Sequence, residues 1–188
     1  MRPLVLHEGL AGALFFTSYV GWCVWELLLQ RRTGERDRTR WGVFVTTAAG
    51  AALIFPASGV DARLPGPRWL PVAVGISLIL AGWWFRWWSV RTLGRYFKVT
   101  VTVQEGHRVV DTGPYRVLRH PSYTGMLVSL LGMGIALDSW ASVAVAFLLP
   151  LTGILRRIGE EEQVLRRELG EPYRDYSRRT SRLVPGIW

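Results

Sequence analysis

Cysteine is almost absent from this 188-residue chain: Cys23 stands alone, inside an apolar run. A disulfide framework and a cysteine-based metal site within the chain are excluded. No metal site is expected, and Cys23 reads as packing. Lysine is nearly missing too, with Lys98 the single example among 23 basic residues, a bias that reads as the mark of a GC-rich prokaryotic genome. Acidic residues number only 14, which leaves a formal charge of +9. Such basicity can signal a nucleic-acid partner. Here the arginines flank long apolar runs, so membrane topology explains them and no nucleic acid is expected. Gly132 and Gly134 form a G-x-G without the third glycine or the strand–turn–helix of a nucleotide fingerprint. Small residues that let helices approach closely explain them better. The first apolar run lacks a small-x-small cleavage site and ends in Arg31-Arg32, so it is not expected to be a cleaved signal. The closing Gly186-Ile187-Trp188 is no prenylation box, so the chain is not expected to carry that anchor itself.

What is present is hydrophobic length. Half of the residues are apolar and ten are tryptophan. A helix needs about 20 apolar residues to cross the hydrocarbon core. Gly9 to Leu29 qualifies with Glu26 as its only charge, Trp41 to Val60 has none, and Trp69 to Val90 has only Arg86. Ser122 to Leu155 is too long for one crossing and suits two short helices with a turn at Asp138-Ser139. The expected fold is an all-α integral membrane protein of about five transmembrane helices, with a C-terminal helical hairpin and a cytoplasmic cofactor-binding region. Residues 1–90 would hold the first three spans. Residues 91–188 would hold the catalytic region, the hairpin and a cytoplasmic helix. Arginine is concentrated in the loop from Gln30 to Arg40, in Arg91 to Arg119 and after Leu155, while the other side has only Arg2, Arg63 and Arg68. The excess of arginine places the N-terminus outside and the C-terminus in the cytoplasm, in a prokaryotic inner membrane. Trp83, Trp84, Trp87 and Trp88 cluster at the cytoplasmic end of the third span, as an interfacial belt or as the lining of a lipid-substrate entrance.

Two polar segments hold nearly all candidate functional groups. The first contains His107, Asp111, Tyr115, Arg116, Arg119, His120 and Tyr123. Pro121 suits a first helical turn, which puts His120 just before the fourth span. Free backbone N–H groups there favour an anion, with Arg119 adding charge, and the tyrosine faces attract cations. A basic helix start anchored at the headgroups would look the same. In the second segment, Arg156 to Leu169 reads as an amphipathic helix with Gly170 just past its end. Glu161 and Glu162 fall on the same face as Ile158, Leu165 and Leu169. Arg157 lies four residues before Glu161 and can pair with it.

These two motifs together resemble the isoprenylcysteine carboxyl methyltransferase family. The matching pieces are His107-Arg108-Val109-Val110, Gly113-Pro114-Tyr115, and Arg119-His120-Pro121-Ser122-Tyr123-Thr124-Gly125. After the hairpin come Arg157, Glu161-Glu162 with Leu165, then Gly170-Glu171-x-Tyr173-x-x-Tyr176, Arg179-Thr180 and Pro185-Gly186. The resemblance covers about Arg91 to Trp188. It implies S-adenosyl-L-methionine as methyl donor, held by His107, Val109, Val110, Tyr115, His120, Pro121, Ser122, Tyr123 and Glu161. It implies Arg157 beside the methyl acceptor, and Glu162 as the second acid of the pair. The expected partners are membrane lipids and a lipophilic or lipid-modified substrate, with the carboxylate of an isoprenoid or prenylcysteine-like molecule as acceptor. A carboxylate is already deprotonated and needs no base. An amine or hydroxyl would need one, and Glu162 would be the candidate. Related phospholipid N-methyltransferases and NADPH-dependent sterol-reductase-like enzymes share the arginine–histidine–proline piece. A non-enzymatic scaffold is the remaining alternative, and clustered titratable groups count against it.

Overall fold

The computed structural model describes residues 3, 9–31, 38–60, 63–94 and 109–188. Of the candidate cofactor residues, His107 lies outside the described residues. The elements are α1 (Gly9–Arg31), α2 (Arg38–Ala57), α3 (Trp69–Leu93), a 3-10 turn at Gly113–Arg116, α4 (Pro121–Ala136), α5 (Trp140–Leu169) and α6 (Glu171–Arg179). One isolated parallel bridge joins Leu118 to Ser181. Among the described residues, three helices are long and apolar enough to cross a membrane, at Gly9–Leu28, Trp69–Leu93 and Trp140–Leu169, while Gly42–Ala57 and Pro121–Ala136 are shorter apolar helices.

The turn expected at Asp138-Ser139 is there. Asp138 adopts φ 51°, a region that asparagine and aspartate enter more readily than most residues. Ser139 then caps α5 by accepting from the Ser142 N–H. Arg63 pins the turn from outside, its Nε donating to Asp138 Oδ2 at 2.6 Å.

The tail helix differs from expectation. It does not begin at Arg156, because α5 runs unbroken from Trp140 to Leu169. What changes after Leu155 is polarity, and the residues there remain ordinary helix formers. Thirty residues make about 45 Å of helix, more than the roughly 30 Å of a hydrocarbon core. The polar half of α5 therefore projects beyond the apolar bundle.

Glycine sets the register of that bundle. On α3, a Cβ at Gly82 would lie 2.5 Å from the Gly125 carbonyl oxygen, and one at Gly75 would lie 2.6 Å from Gly132 O and the Ala136 Cβ, both on α4. Seven residues up α3 match seven residues back along α4, so the two helices run antiparallel at backbone contact. Small residues give this close approach where hydrocarbon supplies no hydrophobic drive between helices. Gly132 thus has the packing role expected of it, and Gly134 meets Val143 across the hairpin. α4 is the central element, with Leu130, Met133 and Ala136 fully buried. Four residues past Gly82 on α3 stands Arg86, whose Cβ would lie 2.9 Å from a Cβ at Gly125, so the same register brings it against the start of α4.

Candidate functional site

That first turn begins as anticipated. His120 is the N-cap residue and Pro121 opens α4, where its missing N–H leaves nothing unsatisfied. The strand-like segment before it is held by the C-terminal tail. Arg119 N–H donates to Ser181 O at 2.7 Å, His120 N–H to Arg182 O at 3.1 Å, and Ser181 N–H to Val117 O at 3.0 Å. The Tyr176 hydroxyl donates to Tyr115 O at 2.8 Å, and the Thr124 hydroxyl to Leu183 O at 2.8 Å. Burial pushes the phenols of Tyr115, Tyr173 and Tyr176 up from their ordinary value, so they stay protonated donors. Tail and motif are thereby one unit despite the hairpin between them.

Two clusters form where α5 passes this unit. In the first, Arg157 is buried to 3% exposure, and its Nε donates to the Tyr123 hydroxyl at 3.1 Å. That hydroxyl donates to Glu161 Oε2 at 3.2 Å, and Arg157 Nε stands 4.0 Å from the same oxygen. The His120 and Tyr123 rings lie nearly parallel, with centroids 5.8 Å apart. Tyr115 and Pro121 are buried, and Val109 and Val110 are half-buried.

The second cluster surrounds Glu162. Arg119 Nε donates to its Oε1 at 2.7 Å, Arg182 Nη2 to its Oε2 at 3.1 Å, and Arg166 Nη2 to Oε2 at 3.2 Å. His120 Nε2 lies 3.4 Å from Oε1. Burial opposes the ionised form, but hydrogen bonds from His120, Arg182 and Arg119 outweigh it and hold the Glu162 carboxyl well below the usual carboxylate range. The two acids expected to act from one face are therefore separated. Glu161 is half-buried beside Tyr123, and Glu162 is buried in a cationic cage. The remaining donors of Arg119 go to Ser177 O at 2.9 Å and to Thr180 O. Its charge is thus met by Glu162, and these other bonds hold the tail.

Ser122 joins the site from the other side. Arg86 Nη1 donates to Ser122 Oγ at 2.6 Å and to Ser122 O at 3.0 Å, while its Nη2 donates to Glu26 Oε2 at 2.8 Å. An arginine cannot accept a hydrogen bond, so the Ser122 proton remains available to another acceptor. Arg86, Glu26 and Arg182 were not among the sequence candidates. A usable signal existed for the first two, since single opposite charges in two apolar runs must find partners. Of the clustered tryptophans, Trp84, Trp87 and Trp88 are exposed, and the Arg91 guanidinium lies 5.3 Å over the Trp87 ring.

Apolar helices long enough to cross a bilayer, with buried charge gathered at one end, define an integral membrane protein. The chain belongs to the isoprenylcysteine carboxyl methyltransferase (ICMT) family, whose sequence profile matches residues 74–167, half of its length. It is 32% identical over 122 residues to a probable protein-S-isoprenylcysteine O-methyltransferase of Oryza sativa subsp. indica, covering 63% of each chain. It is 32% identical over 123 residues to protein-S-isoprenylcysteine O-methyltransferase B of Arabidopsis thaliana, covering 64% of this chain and 62% of that one. The alignments thus span less than two thirds of those relatives. The solved structure of the eukaryotic intramembrane Ras methyltransferase ICMT without a monobody superposes with a TM-score of 0.59 at 23% identity, over 82% of this chain and 55% of that one. The likeness to that structure is one of fold.

Proposed function

We propose that this protein transfers a methyl group from S-adenosylmethionine to the carboxylate of a lipophilic, isoprenoid or prenylcysteine-like acceptor. The observation that carries this reading is the chain Arg157–Tyr123–Glu161, linked by hydrogen bonds of 3.1 and 3.2 Å just past the apolar part of α5. A lipophilic acceptor arriving from the bilayer would meet its polar positioning groups there.

The residues present fit the cofactor's chemistry. When bound, S-adenosylmethionine supplies an electrophilic methyl group on a sulfonium cation. The faces of Tyr115 and Tyr123 suit that cation, His120 and the first N–H groups of α4 suit its carboxylate, and Glu161 suits hydroxyl or amine donors. Ser122, with its proton left over by Arg86, adds a donor. His107, Val109, Val110 and Pro121 complete the proposed cofactor set. Arg157 would orient the acceptor carboxylate. Such an acceptor is already ionised, so the protein must mainly align the two reactants and exclude water.

The arrangement disfavours an amine or hydroxyl acceptor. Glu162 was the candidate base, and a carboxylate held so far below its usual range takes up protons poorly. Its geometry suits a positioning role instead, since it joins His120 to Arg119 and the tail. We also read α1 to α5 as five crossings of a prokaryotic inner membrane, with the N-terminus outside and the C-terminus cytoplasmic. The short helices α2 and α4 would be met by local thinning of the bilayer. Reporter tags placing both termini on one side would remove that count.

The test is equilibrium binding of S-adenosylhomocysteine and of NADPH to detergent-purified protein. S-adenosylhomocysteine is expected to saturate, and His120→Ala to abolish its binding. Glu161→Ala should weaken it at least tenfold. Arg157→Ala should keep it within about threefold but lower turnover by two orders of magnitude or more, the usual range for a lost positioning contact. NADPH binding in its place would move the chain to the reductase class, and binding of neither would support a scaffold.

A further inference from the structure

A second feature of α5 lies away from the Arg157 cluster. At 100° per residue, Gly159, Gln163 and Arg166 emerge on the side of the helix opposite Arg157 and Glu161. There, α5, α6 and the tail line an open pocket of about 490 Å³. Its charged lining is Arg166, Arg167, Arg174 and Arg182 against Glu162 and Glu171. Glu162 already accepts from Arg119 on its inner side at 2.7 Å, and Glu171 is taken by Arg174 at 2.6 Å. Arg167 has no carboxylate partner among the described residues. A Cβ at Gly159 or Gly170 would meet nothing within 4 Å, so both open onto free space. Arg166 and Arg167 also suit the negative end of the α5 dipole, but that needs neither a pocket nor the arginines brought in by α6 and the tail.

We propose that this pocket is a binding site for a phosphate-bearing anion. Four guanidinium groups against two carboxylates leave a surplus of two positive charges, which a phosphate dianion balances. Guanidinium forks match phosphate oxygens in pairs, whereas a single lysine offers only a point charge. The anion is a soluble phosphoester or diphosphate, or the headgroup of an anionic lipid. The near edge of the pocket permits the second source. Gly159 lies four residues past Leu155, about 6 Å along the helix, within the depth of a headgroup layer. The site does not depend on the methyltransferase reading, because its lining shares no residue with the proposed cofactor set.

The test uses the full chain in zwitterionic detergent. Pyrophosphate binding is measured by titration calorimetry, and retention of phosphatidylglycerol against phosphatidylcholine by native mass spectrometry. Two variants accompany the wild type. Arg167→Ala/Arg174→Ala removes two exposed guanidiniums that play no part in the Glu162 cage. Gly159→Phe keeps every charge and fills the pocket. Saturable binding of pyrophosphate, weakened at least tenfold in both variants while S-adenosylhomocysteine binding is unchanged, supports a soluble anion. Preferential retention of phosphatidylglycerol, lost in both variants, supports a lipid headgroup. Binding of neither probe above sodium chloride at equal ionic strength overturns the site. Binding that survives Gly159→Phe overturns it too, since attraction would then come from overall charge.

Discussion

Glu26 and Glu162 are both carboxylates with almost no exposure, 9% and 2%, yet the protein surrounds them in opposite ways. Glu26 sits in the apolar run of α1 and faces one arginine, Arg86, whose other nitrogen goes to Ser122. Glu162 lies beyond the apolar part of α5 and draws in Arg119, Arg166, Arg182 and His120. In hydrocarbon a surplus charge has no water to turn to, so the charges balance one to one. At the boundary the surplus can hydrate: Arg166 and Arg182 keep 47% and 28% of their side chains exposed, with their stems packed and their heads wet. The first arrangement is a neutral tie between α1, α3 and α4. The second is an electropositive clasp that holds motif, α5 and tail together, and the surplus it leaves lines the proposed anion site.

Breaking the clasp should have the largest effect. Glu162→Ala leaves Arg119 buried without its carboxylate, a loss of about 3–5 kcal/mol for one partner of a buried pair. Thermal unfolding in detergent would show this as a collapse of the midpoint. A variant as stable as wild type would mean that water already screens the cage.

The tie should respond differently. Arg86→Met and Glu26→Gln each leave one charge unmatched among apolar helices, so each is expected to destabilise by about 2.5–3.5 kcal/mol. The double variant should cost less than their sum, because removing both partners leaves no buried charge. A coupling of about 1–3 kcal/mol in the double-mutant cycle would establish the tie. Strict additivity would reduce Glu26 and Arg86 to independent packing residues.

Acid sharpens the contrast with the smallest effect. The Glu162 carboxyl is held below the ordinary range, so the unfolded chain takes up that proton first. The stability from the clasp is whole above about pH 4.3, the unperturbed glutamate value, and is lost as pH falls below it. The gap in unfolding midpoint between wild type and Glu162→Gln should therefore be constant from pH 7 to 5 and narrow below pH 4. A gap that narrows already near pH 6 would mean that a group other than Glu162 sets the acid response.

The uneven legibility of the site follows from the same physics. The hairpin turn, the cap at His120-Pro121 and the Arg157–Glu161 pair were readable because each depends on residues four or fewer apart. The continuity of α5 past Leu155 was missed, because polarity changes there while helix propensity does not. The division of labour between Glu161 and Glu162 was also hidden. One residue is 100° of helix, and only the positions of Tyr123 on one side and Arg119 with Arg182 on the other decide which acid is caged.

The sequence by itself determined the apolar helices, the arginine-rich flanks and the family to which the chain belongs, since these rest on composition, local periodicity and ordered motifs. Tertiary structure alone decided what the charges do. Glu26 meets Arg86 across 60 positions, and Arg86 meets Ser122 across 36, because the glycine seam between α3 and α4 fixes their register. Arg119 reaches Glu162 across 43 positions, because the tail folds back to lie beside the motif. Such partners are set by how helices pack, which no local pattern encodes.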